Sequence, residues 1–157
     1  MELNIIYSSD DKFVRHIYVS MMSLLETQSP AVEMNIYLVD NNISEKNKTI
    51  LNDMASRYGR NINYLPFGQI EGDLQGVSLW GGSLSSYARL FIGRYISKNI
   101  VLYLDGDSVI QGDLSPLFEL DLSDYYFGAV QDTAGKVFRG EVGIEGNEKY
   151  INSGVMI

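Results

Sequence analysis

The period of the hydrophobic and polar positions changes several times along the chain. Leu3-Asn4-Ile5-Ile6-Tyr7 is a short apolar run rich in branched residues and predicts a buried strand. Ser8-Ser9-Asp10-Asp11 supplies capping groups, and Val14, Ile17, Tyr18, Met21 and Leu25 then recur at helical spacing, predicting a helix from Lys12 to Glu26 with Pro30 beyond its end. Met34, Ile36 and Leu38 alternate with their neighbours as in a second strand that ends at Asp40. Ser44 caps a second helix whose apolar face is Ile50, Leu51, Met54 and Tyr58, with Gly59 as terminator. Ile62 to Phe67 predicts a third strand interrupted by Pro66.

The remainder is less regular. Gly68 to Gly82 carries several glycines and no clear period, and reads as a loop. From Ser83, the positions Tyr87, Leu90, Phe91 and Arg94 predict a third helix, and Ile100 to Leu104 is a continuous apolar strand suited to a sheet centre. Strands alternating with helices define an α/β domain with a mostly parallel sheet between helices. No internal repeat, low-complexity tract or linker divides the chain, so residues 1–157 read as one domain.

Composition removes several function classes. At 45% hydrophobic and 20% charged, the 157 residues are those of an ordinary globular domain. Twenty Asp and Glu against 12 Lys and Arg give a formal charge of −8, which argues against a nucleic-acid partner. With no cysteine there is no disulfide framework, thiolate nucleophile or Cys-ligated metal. No membrane span or signal peptide is legible, and the expected address is the cytoplasm. Neither a phosphate-cradling Gly-Lys-Ser/Thr loop nor a dinucleotide glycine fingerprint is present. His16, the only histidine, makes no cluster and reads as structural or exposed; Tyr125-Tyr126 reads either as strand core or as a sugar-stacking surface. Trp80-Gly81-Gly82 precedes a predicted helix whose N-terminus could meet an anion.

Asp105-Gly106-Asp107 follows the apolar strand Ile100–Leu104 directly. Ligands of open α/β sheets bind beyond the carboxyl ends of the strands. In an extended chain, residues i and i+2 project to one side, so both carboxylates could approach one hard cation such as Mn²⁺ or Mg²⁺. Gly106 would leave room for a close approach. The same triplet is also an ordinary strand-ending turn with solvated carboxylates.

The wider stretch Tyr103-Leu104-Asp105-Gly106-Asp107-Ser108-Val109-Ile110, continued by Gly112-Asp113-Leu114-Ser115-Pro116-Leu117, resembles the Asp-X-Asp region of the family 8 retaining glycosyltransferases. That family includes bacterial lipooligosaccharide galactosyltransferases and glycogenin. Four other segments are similar to the family in the same order: Ile5 to Asp11, Ser86-Tyr87-Ala88-Arg89-Leu90, Phe127 to Asp132, and Tyr150 to Met156.

The resemblance implies a GT-A-like variant of the Rossmann fold that moves a hexose, galactose or glucose, from a UDP-sugar to a glycan acceptor, free or lipid- or protein-linked, with retention of configuration. It implies a nucleotide site at Ser8, Ser9, Asp10, Phe13 and Gly106, and Mn²⁺ or Mg²⁺ held by Asp105 and Asp107. It further implies sugar contacts from Arg89, Asp105, Asp132 and Asn152. On their own chemistry, Asp10 caps a helix, Phe13 packs as core, and Arg89 is an exposed helix residue. The chain stops at Ile157 inside an apolar run, as a cut through an element would. The family's catalytic residues, a metal-binding His and most of the acceptor site are expected beyond that point, and a longer form could attach peripherally to a membrane. The alternatives are a nucleotide-sugar-binding fragment without turnover, an inverting transferase that also uses Asp-X-Asp, and a Rossmann-like domain with a surface acidic turn.

Overall fold

A computed structural model describes residues 1–132, 143 and 149–157. Their six strands form one sheet in the order β3-β2-β1-β4-β6-β5. The strands are β1 (Glu2–Asp10), β2 (Glu33–Asn41), β3 (Ile62–Pro66), β4 (Leu102–Leu104), β5 (Ala129–Gln131) and β6 (Ile151–Met156). β1 pairs in parallel with β2 and β4, and β2 with β3, whereas β6 runs antiparallel to both β4 and β5. The long helices are α1 (Val14–Thr27) and α2 (Glu45–Arg57).

The side-chain alternation of β1 divides the core into two layers. Leu3, Ile5 and Tyr7 face α1 and α2, where they meet Ile17, Met21, Leu24, Leu51 and Met54. Ile6 faces the other way, toward Tyr103, Val39, Phe67, Ile70, Leu74, Ala88 and Ile96. A strand covered on both sides is the arrangement that parallel sheets require. Pro66 lies at the end of β3, an edge strand, where the missing N–H breaks no ladder.

Several boundaries differ from the sequence reading for definable reasons. β1 runs on through Ser8, Ser9 and Asp10, which keep pairing with Val39, Asp40 and Asn41. Asp10 then caps the 3₁₀ turn Asp11–Phe13, accepting from the Lys12 and Phe13 amides at 3.0 and 3.1 Å, so capping falls to Asp10 alone. The expected loop at 68–82 begins with two short helical turns, Gly68–Glu71 and Gly72–Leu74, because Ile70 and Leu74 drop into the second core layer. β4 is confined to three residues: the Ile100 carbonyl accepts from Asn4 Nδ2 at 3.3 Å.

The third helix begins later than expected, as a 3₁₀ segment (Ser85–Phe91) followed by one α-turn (Ile92–Tyr95). Arg89 Nε donates to the Ser86 carbonyl at 2.7 Å and occupies an acceptor of the helical ladder. With three residues per turn, Ser85 and Ala88 point inward and Leu90 is left 69% exposed, contrary to the predicted stripe. A 3₁₀ segment of seven residues gives little support to an anion site at its start.

Candidate active site

The chain turns immediately after β4. The Asp105 carbonyl accepts from the Ser108 amide at 3.0 Å and from Ser108 Oγ at 2.7 Å, closing a tight turn over 105–108. The extended geometry that would set both carboxylates side by side is therefore replaced by a reversal, with Asp105 half-buried and Asp107 exposed. Gly106 is buried in this turn, and packing inside the protein already requires it to lack a side chain. A Cβ there would lie 2.5 Å from Ile17 Cδ1 and 3.1 Å from Phe13 Cε1.

Arg89 organises the surroundings of Asp105. Its Nη2 donates to Asp105 Oδ1 at 2.6 Å, and its Nη1 donates to the Ser153 carbonyl and Oγ at 2.5 and 2.9 Å. The guanidinium lies over the Tyr103 ring at 4.7 Å, and the side chain is only 11% exposed, so it is not a free surface arginine. Tyr103 donates its hydroxyl to the same Oδ1 at 2.8 Å. Burial, reinforced by the Asp105 carboxylate, pushes the Tyr103 hydroxyl pKa well up, so it remains a donor throughout the neutral range. Asp105 Oδ2 has only a longer 3.4 Å contact with Arg89 and faces Gly154, where a Cβ would come within 3.0 Å of it. Asp105 Oδ1 thus holds both short protein hydrogen bonds, and the side chain as a whole is 34% exposed.

Arg89, Asp105, Asp132 and Asn152 all line a single cleft of about 730 Å³. It lies at the carboxyl ends of β4 and β5 and at the start of antiparallel β6, which is the same end of the sheet. Asn152 Oδ1 accepts from the Gly154 amide at 2.9 Å, which turns its Nδ2 into the group offered outward. Trp80, Tyr87 and Phe127 add aromatic surface to the same walls.

The residues assigned to the nucleotide do not line this cleft. Ser8 is two residues beyond the Ile6↔Tyr103 pair, level with Asp105 across the β1–β4 ladder. Its hydroxyl is buried with no hydrogen-bond partner among the described residues. Ser9 Oγ is satisfied by the Asp10 carbonyl at 2.8 Å. Phe13, 38% exposed, is not core; its ring stacks on exposed His16 at 4.2 Å between centroids. Tyr125 and Tyr126 are 70% and 105% exposed and do not line the cleft, so they are neither strand core nor part of this wall.

The acidic turn suits a hard cation in donor chemistry. Asp105 Oδ2 and the exposed Asp107 carboxylate are oxygen donors on one turn, although no third acidic or imidazole group joins them among the described residues. Arg89 is the one basic side chain among the described residues lining the cleft, and its charge is already opposed by Asp105.

Residues outside the sequence assignment also matter here. Tyr103 was hidden in an apolar run and Ser153 in a segment read for its asparagine. A tyrosine two residues before an aspartate on one strand shares its face, which is the signal that could have found Tyr103.

A mixed sheet flanked by helices, with a cleft at the carboxyl ends of β4 and β5, is the fold of the GT-A-type glycosyltransferases. Residues 4–157 match the family model described as glycosyl transferase family 8, and the chain belongs to that family. It is 33% identical to a Haemophilus influenzae protein provisionally named a glycosyltransferase, over 99% of this chain and 48% of that protein. It is 26% identical to general stress protein A of Bacillus subtilis, over 99% of this chain and 55% of that protein. The chain therefore spans about half the length of these relatives. Among solved structures it is similar to the galactosyltransferase LgtC in complex with donor and acceptor sugar analogues. That match has a TM-score of 0.84 and 29% identity, covering 99% of this chain and 56% of LgtC. No helix among the described residues is long and apolar enough to cross a membrane.

Proposed function

We propose that this chain forms the donor side of a hexosyltransferase, which binds a UDP-sugar and presents its hexose for retaining transfer to a glycan acceptor. In that reaction the C1–O bond to the diphosphate breaks, a C1–O bond to an acceptor hydroxyl forms, and the hydroxyl proton and UDP are released. The observation that carries this reading is the convergence of Arg89, Asp105, Asp132 and Asn152 on one cleft. Fixed donors and acceptors around a cleft are what hydroxyl recognition requires. The buried, unpartnered Ser8 hydroxyl, level with Asp105 across the β1–β4 ladder, supports a polar ligand reaching the end of β1.

Arg89 acts here as a positioning residue, tying β4, β6 and the 3₁₀ segment together and holding Asp105 in one orientation. Asp105 and Asp107 would hold Mn²⁺ or Mg²⁺. When bound, the cation neutralises charge on the diphosphate leaving group. Among the described residues lining the cleft, the one arginine is already paired with Asp105, so they offer a diphosphate little free positive charge.

Calorimetric titration with UDP is the test. Binding is expected to strengthen markedly with Mn²⁺, and the gain to vanish in Asp105→Ala/Asp107→Ala. Equal binding with and without Mn²⁺ in the unaltered chain would remove the cation from the proposal, and no binding at all would remove the donor site.

A further inference from the structure

Trp80 is 73% exposed and forms part of the wall of the cleft that holds Arg89, Asp132 and Asn152. It is also presented from a pinned support. Trp80 and Ser83 exchange backbone hydrogen bonds in both directions at 3.0 Å, and Gly81 and Gly82 between them have φ of 59° and 82°. Positive φ at both central residues defines a type I′ turn, which glycine adopts without strain. Beyond the turn, Ser83 Oγ donates to Ser85 Oγ at 3.0 Å, and Asn41 Nδ2 reaches that same oxygen at 3.0 Å. Before it, the Ser78 carbonyl accepts from the Tyr87 hydroxyl at 3.0 Å. Both flanks of the tryptophan are thus anchored to the body of the domain.

A large apolar ring on a fixed turn loses little conformational freedom when a ligand covers it. A pyranose has a face of C–H groups and a rim of hydroxyls. The indole suits the face, and the polar side chains of the same cleft suit the rim. A nucleobase could also stack on an aromatic ring, but Ser8, Ser9, Asp10 and Phe13 do not line this cleft.

We infer that Trp80 is the stacking platform for a pyranose ring bound in this cleft, an inference that rests on the donor-site reading above. The ring belongs either to the hexose of the nucleotide sugar or to the acceptor, and the experiment separates the two.

Trp80 is the only tryptophan in the chain, so its emission reports on this position alone. The 157-residue chain is titrated with UDP, UDP-glucose and UDP-galactose, and with lactose and maltose in the presence of UDP, all with Mn²⁺, following emission and heat in parallel. A blue shift with a UDP-hexose but not with UDP assigns the donor sugar; a shift only with a disaccharide assigns the acceptor. Trp80→Ala should weaken the ligand that gives the shift about ten-fold, and Trp80→Phe should recover most of that loss. Heat of binding for these ligands with constant emission, or an equal shift with UDP alone, overturns the platform and leaves the donor reading intact. No heat with UDP or either UDP-hexose, together with constant emission throughout, overturns both.

Discussion

Arg89→Ala is expected to cost about 2 kcal/mol of stability and about 10- to 100-fold in nucleotide-sugar affinity. The side chain is nearly buried, and its removal deprives Asp105 Oδ1 of its 2.6 Å partner while unlinking Ser153 and Ser86. A fully buried pair broken in this way costs more, but the Asp105 side chain is 34% exposed and water moderates the loss. Arg89→Lys should restore little of either quantity. A lysine cannot reach the Ser86 carbonyl, Asp105 and Ser153 at once, because that takes a planar fork of several N–H groups. Urea denaturation and UDP-hexose titration of the two variants measure the effects separately. A lysine variant with normal affinity would show that only the positive charge matters.

Gly106→Ala has the other large expected effect. Its new methyl would collide with Ile17 Cδ1 at 2.5 Å, on a residue with no exposed surface, and press on Phe13 at 3.1 Å. Overpacking of this kind costs about 1–3 kcal/mol. Ile17→Val removes the colliding carbon, and alone it should cost about 0.5–1.5 kcal/mol. The double variant Gly106→Ala/Ile17→Val should therefore be more stable than the sum of the single losses predicts, with coupling above about 0.5 kcal/mol. Strict additivity in thermal unfolding would mean that Gly106 is required for some reason other than room against α1. The same collision should push the turn carrying Asp107 outward, so the single variant should also bind Mn²⁺ more weakly in the presence of UDP.

The alternation of strands and helices through β3 was legible because β1 carries apolar residues on both faces and α1, β2 and α2 each repeat apolar residues at the period of their element. Ile5, Ile36 and Leu38 announce strands, and Val14, Ile17 and Met21 a helix, by period alone. Sequence reasoning weakened where polar residues take structural positions. Ser8 and Ser9 read as capping residues, yet they continue the ladder at the carboxyl end of β1, where a site needs buried polar groups. The segment 85–91 is tuned to three residues per turn by the Arg89–Ser86 bond, a contact that no hydrophobic pattern encodes.

For the site, resemblance identified Arg89, Asp105, Asp132 and Asn152 as a set, and the fold brings these four to one cleft. It could not reveal that Arg89 and Tyr103 converge on one oxygen of Asp105. That arrangement depends on β4 and the 3₁₀ segment meeting in space. Nor could spacing show that Asp105-Gly106-Asp107 reverses direction. An Asp-Gly-Asp triplet is compatible with a strand end and with a turn alike, and the Ser108 contacts decide between them.

Anomalous diffraction from crystals soaked in UDP and MnCl₂ asks whether the turn after β4 holds the proposed divalent cation against a nucleoside diphosphate. A manganese peak within coordination distance of carboxylate oxygens from both Asp105 and Asp107, with UDP phosphate oxygens completing its shell, is the predicted result. UDP ordered in the crystal with no manganese at that turn, or with manganese on Asp107 alone, would contradict it.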